Sequence, residues 1–294
     1  MKSKLYDKIA TIILYLISVF VVLLLAAFII YIVYRGHDSL NLSFLFGKPK
    51  IAESGGGIGP ELFNSFYMLI VSLIITIPIG VGAGIYMAEY AKEGKILSFI
   101  RLCIETMASL PSIVVGLFGL LVFVTMTHWG YTILSGALVI TILNLPSMTR
   151  VSENAIKASS SKVKEASLGL GATQWQTIKN IVLPSAMPEI LTGIILAAGR
   201  IFGEAAALLY TAGMSAPELN FKSISLVDKA SAFSLFRPAE TLAVHIWKLN
   251  SEGMIPDATK IANGSSAVLV LMVLVFNFIA RIIGRKIYSL YSGK

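Results

Sequence analysis

Residues 165–184 read EASLGLGATQWQTIKNIVLP, a polar stretch between two long hydrophobic runs. From about Val151 to Leu168 the residues suit a helix, apart from the cluster Ser159-Ser160-Ser161, which breaks it or caps a second piece. Gly169 and Gly171 permit the positive φ that ends a helix and turns the chain. Thr173 and Gln176 then match a capping box that opens a second short helix. Leu183-Pro184 predicts the end of that helix before the next hydrophobic run. So many ordering signals with so few charges argue against a floppy linker. They predict a helix–glycine–helix insert on a membrane bundle, a docking element through which another protein moves this one. The alternative is a solvated loop whose helices only pack on the membrane surface.

Outward from the insert, composition sets the class. Apolar residues make up 56% of the chain and charged residues 14%, with a mean hydropathy of +0.80; this is not the composition of a soluble domain. A helix needs about 20 apolar residues to cross a bilayer. Lys2, Lys4 and Lys8 lead into a run over 9–34 that is too long for a signal-peptide core and lacks a small-residue cleavage site, so it predicts an uncleaved first span. A second uncharged run covers 62–88 and ends at Lys92, Glu93 and Lys95. From 106 to 149 there is no Lys, Arg, Asp or Glu. That run is about twice one span and folds back at Thr127-His128-Trp129-Gly130, where Trp and Gly suit an interfacial turn. Further spans follow over 187–213 and 263–283. The expectation is an all-α polytopic membrane protein with six transmembrane helices, a single transmembrane domain over 1–294 with its core at 62–287. An insert at 150–186 and a long polar segment at 214–262 lie on opposite sides.

Orientation follows from Lys and Arg. Fifteen of them fall on the side holding the termini and the insert, against eight on the other. The short loops dominate the positive-inside rule, which places both termini and the insert in the cytoplasm of a multi-pass membrane protein. The net charge of +8 is thus mostly topology. Its dispersal over several loops, with no aromatic-interleaved patch, argues against nucleic-acid binding.

Catalytic and cofactor signals are missing from the sequence. The single cysteine, Cys103, excludes an internal disulfide. His37, His128 and His245 fall in separate segments without metal-ligand spacing. The pairs Gly47-Lys48, Gly94-Lys95 and Gly293-Lys294 do not complete a P-loop, and Gly55-Gly56-Gly57 reads as a flexible loop. The chain is therefore expected to be no enzyme and to hold no cofactor of its own.

Two charges sit inside span five. Arg200 is about 13 residues in, near the midplane at about 1.5 Å rise per residue, where an unpartnered guanidinium is costly. Glu204 is one turn on, at i+4. One reading is a self-satisfied Arg200–Glu204 pair that fixes packing, with Gly199 and Gly203 allowing close helix approach. The other is a pathway charge, in which Arg200 offers a planar donor fork to an oxyanion and Glu204 orients it. Glu105, one turn past Arg101, reads as an interfacial ion pair more than as a substrate group. Pro111-Ser112 either frees backbone groups to line a pathway or only kinks its helix.

The spacing Glu165-Ala166-Ser167-x-x-x-Gly171, then Ile181-x-Leu183-Pro184, resembles the coupling signature of permease subunits of ABC importers, with Ser167 where Ala is usual. Leu110-Pro111-Ser112-Ile113-Val114-Val115-Gly116-Leu117-Phe118-Gly119 and Gly199-Arg200-Ile201-Phe202-Gly203-Glu204-Ala205-Ala206 are similar to the phosphate-uptake branch of that family. Together the similarity covers roughly 62–213. The resemblance implies a type I importer permease fold with Glu165, Ala166, Gly171, Ile181, Leu183 and Pro184 coupling to the ATPase, and Arg200 and Glu204 in the phosphate path. It implies as partners a related second permease, two cytoplasmic ATPase subunits that bind ATP and Mg, and an extracytoplasmic phosphate-binding protein, all set in a lipid bilayer. Physics alone reaches "anion"; sulfate, molybdate or an organic anion are rivals, as is a self-contained channel or membrane enzyme. In the 214–262 segment, 239–249 reads as an amphipathic surface helix, either a platform for the binding protein or an outer gate, or a mere cover over the bundle.

Overall fold

The structure is a computed structural model that describes residues 2–50, 55–158, 161–253 and 256–292, of which 2–3, 161–163 and 287–292 are described by backbone alone. Helix dominates, and among the described residues the only β-type contact is an isolated bridge between Asn220 and Ser231.

Helix α1 (Lys2–Gly36) is apolar all round, and none of its hydrophobic window is buried within the chain. Such a helix is stable only against lipid or another subunit. A short α2 (Leu42–Phe46), capped by Asn41 through a 2.8 Å bond from Phe44 N, leads to α3 (Gly59–Ile85), which opens on Pro60 in its first turn and ends in a π-helical turn at Tyr86–Tyr90. Next come α4 (Lys95–Ala108) and α5 (Ser112–Gly119), the latter extended to Met126 by a π-helical stretch. The two meet at 97°. Pro111 causes the break: it lacks an N–H and holds Leu110 out of the helical region. The fold-back comes where the sequence places it, with His128 at φ 60° and Gly130 at φ 74°.

Helix α6 (Ile133–Ala158) is the central span and packs along α3. The serine cluster marks the junction to α7 (Ser161–Gly169); Ser159 and Ser160 lie outside the described residues. After α8 (Gln174–Thr177) a π-helical turn at Ile178–Val182 runs directly into α9 (Leu183–Gly203). Pro184 therefore does not stop the helix, contrary to the sequence expectation: Gln174–Gly203 is one continuous helical run. The π turn shifts the bonding register just ahead of the proline, whose missing N–H falls in the first turn of α9. The four-residue α10 (Ala206–Leu209) completes the fifth span, and α11 (Leu242–Glu252) and α12 (Ala258–Ser292) close the chain. Among the described residues five helices are long and apolar enough to cross a membrane, or six when the bent α4–α5 pair is counted as one span.

The main core joins Met68 and Leu69 of α3, Ile133 and Ile140 of α6, and Ala198, Ile201 and Phe202 of α9. In lipid, close packing and interhelical polar contacts replace the hydrophobic effect as the cohesive force. Thr76 and Thr141 supply one such contact, at 3.2 Å between hydroxyls. Helix α11 starts at Leu242, later than expected, and buries Leu242 and Leu249 against α12 and the α2–α3 junction and Val244 in the main core. It packs into the bundle end.

Candidate functional site

The α7–α8 hairpin forms through local chemistry. Gly171 adopts φ +86°, a conformation costly for any residue with a Cβ, while Gly169 keeps helical geometry and ends α7. Thr173 Oγ1 accepts from Gln176 N at 3.3 Å and Gln176 Oε1 accepts from Thr173 N at 2.9 Å, completing the capping box. The hydroxyls of Ser167 and Thr177, both buried, lie 2.9 Å apart and bind the two short helices to each other. Ser167 thus makes a contact that Ala would lack.

The residues carried over from the coupling signature divide into two groups. Glu165, Ala166 and Gly171 are exposed. Beside them Leu170 and Trp175 present large apolar groups to solvent, 90% and 56% exposed. Ile181, Leu183 and Pro184 are half-buried, and Leu183 packs onto the cluster of Met148, Ile156, Val182 and Ala186. One group faces outward, and Leu183 of the other packs inward against α6 and α9. The hairpin is held by α3: Lys164 Nζ lies 2.5 Å from Glu89 Oε2, and Gln174 Nε2 donates to the Glu89 carbonyl at 2.8 Å.

Arg200 and Glu204 do not share a helix. Helix α9 ends at Gly203, and Glu204 is extended, at φ −76° and ψ 119°. Its carboxylate Oε1 accepts from Ala207 N at 3.1 Å, capping the next helical fragment. The expected i+4 pairing fails because the helix that would present it is broken between the two residues. Arg200, exposed in the single chain, donates from Nη1 to Ser147 Oγ at 3.2 Å. Among the described residues no carboxylate neutralises it. Gly199 and Gly203 contact nothing closely. The close approach falls elsewhere: a Cβ on Gly116 would sit 2.8 Å from Ala207 Cα, so the fragments of two broken spans, α5 and α10, pack backbone to backbone. Irregular backbone at membrane depth is tolerated where it lines a cavity or is buried in protein.

Glu105 pairs with Arg150 at 3.3 Å, across to α6, and not with Arg101. Arg101 instead bridges Glu93 at 3.0 Å and Glu153 at 2.7 Å, and Lys157 also reaches Glu153 at 2.7 Å. This network, together with Glu89 and Ser147, is absent from the sequence reading. Only Glu153 and Lys157 stand at i and i+4; the links that join α4 to α6, Arg101 to Glu153 and Glu105 to Arg150, are about 50 residues apart and no local spacing announces them.

The pattern of the binding-protein-dependent transport system inner membrane component matches residues 80–289. The chain is 53% identical over 289 residues to the probable ABC transporter permease protein YqgI of Bacillus subtilis (strain 168), covering 98% of both. It is 32% identical over 256 residues to the phosphate transport system permease protein PstA of Yersinia pestis, covering 86% of this chain and 81% of that one. Among solved structures, a chain of the MetNI methionine ABC transporter in an inward facing conformation superposes with TM-score 0.56 at 18% identity, covering 79% of this chain and 94% of that one. A bacterial ABC transporter involved in import of the acidic polysaccharide alginate gives 0.54 at 16% identity, covering 91% and 95%. At such identity these two structures bear on the fold alone. The chain thus belongs to the binding-protein-dependent transport system inner membrane component family, as an ABC transporter permease subunit with the fold of a type I importer.

Proposed function

We propose that this chain is the PstA-type permease subunit of an ATP-driven phosphate importer. The observation that carries the reading is Arg200: a guanidinium at the break in span five, bonded to a neutral serine hydroxyl and without a carboxylate partner among the described residues. Its planar fork of donors matches two oxygens of a phosphate group. The 32% identity to PstA supports phosphate over other oxyanions. Glu204 acts here through the backbone: by capping Ala207 N–H it keeps its carboxylate off Arg200 and leaves that positive charge for the anion.

The α7–α8 hairpin then serves as the coupling element. Its exposed face, with Glu165, Ala166, Leu170 and Trp175, docks on one of two separate ATPase subunits that bind ATP and Mg. The half-buried Ile181, Leu183 and Pro184 pass the movement to the bundle. The charge bias of the loops supports a cytoplasmic hairpin and cytoplasmic termini in the plasma membrane. ATP binding closes the ATPase pair and opens the pathway, shared with a sister permease, toward a phosphate-binding protein on the opposite face; hydrolysis resets it. The test is ATP-dependent uptake by the reconstituted complex with its binding protein. Phosphate uptake that Arg200→Gln abolishes, with the complex still assembled, supports the reading. Uptake of sulfate or molybdate in preference to phosphate assigns the path to another anion, and uptake without the ATPase makes the chain a channel.

A further inference from the structure

At the bundle end opposite the α7–α8 hairpin, two carboxylates and an imidazole from distant parts of the chain converge. Glu61 stands in the first turn of α3, Glu240 just ahead of α11, and His245 in the first turn of α11. Each offers one ligand atom, and these atoms lie within 4.8 Å of one another. The side chains are 1%, 3% and 8% exposed, so all three are more than nine-tenths buried. His245 Nδ1 lies 2.7 Å from Glu240 Oε1 and 3.9 Å from Glu61 Oε1. Lys248 Nζ holds the other oxygen of Glu240 at 3.1 Å and the Met214 carbonyl at 2.8 Å.

This arrangement is incomplete as a hydrogen-bond network. Glu61 Oε2 and His245 Nε2 are buried and have no hydrogen-bond partner among the described residues. Among the described residues Glu240 is paired with both Lys248 and His245, whereas the nearest ion-pair contact of Glu61 is the imidazole at 3.9 Å, which leaves a buried carboxylate poorly compensated. The site is also reachable: a cavity of about 270 Å³ borders Glu61, Glu240 and His245, with Ser215 and Glu252 on its wall.

We propose that Glu61, Glu240 and His245 bind a single first-row divalent cation of the zinc or manganese type. Two carboxylate oxygens and one imidazole nitrogen form a mixed donor set that suits such ions, whereas calcium requires more oxygens than these residues present. The cavity leaves room for water to complete the coordination. Lys248 takes the part of an outer partner, orienting Glu240 through the oxygen that does not face His245. Entry of the cation displaces the proton between Nδ1 and Glu240 Oε1 and cross-links the start of α3 to the start of α11. The transport reading is not needed for this site, and its readout is separate from uptake.

The test uses the full chain in its native complex, stripped with a chelator and titrated with Co2+ by visible absorption and with Zn2+ by calorimetry. One cation per chain is expected. Glu61→Gln, nearly isosteric, and His245→Ala should each weaken binding at least tenfold, and Lys248→Gln should also weaken it by removing the group that orients Glu240. Thermal melting without metal checks that each variant folds, and added Zn2+ should raise the melting temperature of the native protein but not of Glu61→Gln. Absence of stoichiometric binding, or equal binding by native protein and both ligand variants, overturns the proposal. A melting transition that follows pH and ignores the cation also overturns it, assigning the cluster to a shared proton.

Discussion

Lys164 Nζ meets Glu89 Oε2 at 2.5 Å, across 75 residues of sequence, and so ties the α7–α8 hairpin to the end of α3. The Glu89 side chain is 5% exposed and Lys164 about a third exposed, at 32%. In the proposed coupling role the hairpin must be stiff where it joins the bundle, and this pair stiffens that joint. Removing one partner of such a half-buried pair should cost about 1–3 kcal/mol, between the values for exposed and buried bridges. Glu89→Gln should therefore leave the complex assembled but lower transported substrate per ATP hydrolysed. Uptake and ATPase rates measured on the same proteoliposomes check this; an unchanged ratio would show that the hairpin is held by other contacts.

Gly171 makes a prediction that is purely one of backbone. Its φ of +86° disfavours any L-residue, yet a Cβ placed there would meet nothing within 4 Å. Gly171→Val should thus destabilise only the turn, by about 1–2 kcal/mol, and reduce co-purification of the ATPase. Gly171→Asn, which tolerates this conformation better, should restore much of it. Equal loss in both variants would mean that the glycine is needed for contact and not for the turn.

The apolar tip offers an independent test of docking. Leu170 is 90% exposed and Trp175 56% exposed, next to a hairpin whose own interior is held by Ser167 and Thr177. Leu170→Asp should leave the permease folded while weakening ATPase binding by about 2 kcal/mol or more, the scale of an interface anchor. Binding of the isolated ATPase to detergent-solubilised permease measures it, and undiminished affinity would move the docking face elsewhere.

Arg200 and Glu204 separate cleanly by substitution. Arg200→Gln and Arg200→Lys both remove the planar fork, and both should abolish anion uptake without dissociating the complex. Glu204→Gln keeps an oxygen to accept from Ala207 N–H, whereas Glu204→Ala loses the cap, at about 1 kcal/mol. A capping role predicts near-native uptake for Gln and impaired uptake for Ala. Equal loss in both would require the negative charge itself.

What the sequence made legible was local. The turn at His128 and Gly130, the capping box of Thr173 and Gln176, and the positive φ of Gly171 each depend on residues within a few positions. The rest depends on partners that the chain brings from afar. Arg101 passes over Glu105 for Glu153, 52 residues away, because α6 presents that carboxylate to it. Pro184 signals a helix stop, but the preceding π turn absorbs it. His245 has no ligand spacing in sequence, since its companion Glu61 lies on α3. The break at Glu204 follows Gly203 directly, but that glycine reads equally well as a site of close helix approach, which it does not make.

Arg237 is the buried clamp of the segment between α10 and α11, and its chemistry sets the last prediction. The residue is 2% exposed. It donates to the Ala232 carbonyl at 3.0 and 2.8 Å, to the Pro238 carbonyl at 3.1 Å and to Asn64 Oδ1 at 2.8 Å, so the guanidinium is satisfied by neutral acceptors. Its carbon lies 6.0 Å from the centre of the Phe63 ring, a cation–π distance. Burial pulls its pKa down to about 10, which still leaves it charged at neutral pH. Lysine cannot reach three acceptors in one plane, and every carbonyl it abandons stays buried. Arg237→Lys should cost about 2–4 kcal/mol in thermal stability and should open the segment to proteolysis near its exposed residues Ile224, Leu226 and Val227. Melting curves and limited digestion of the native and variant complexes measure both effects. A variant that melts like the native protein and resists digestion would show that the loop is held by its aromatic contacts among Phe63, Phe221 and Phe233 instead.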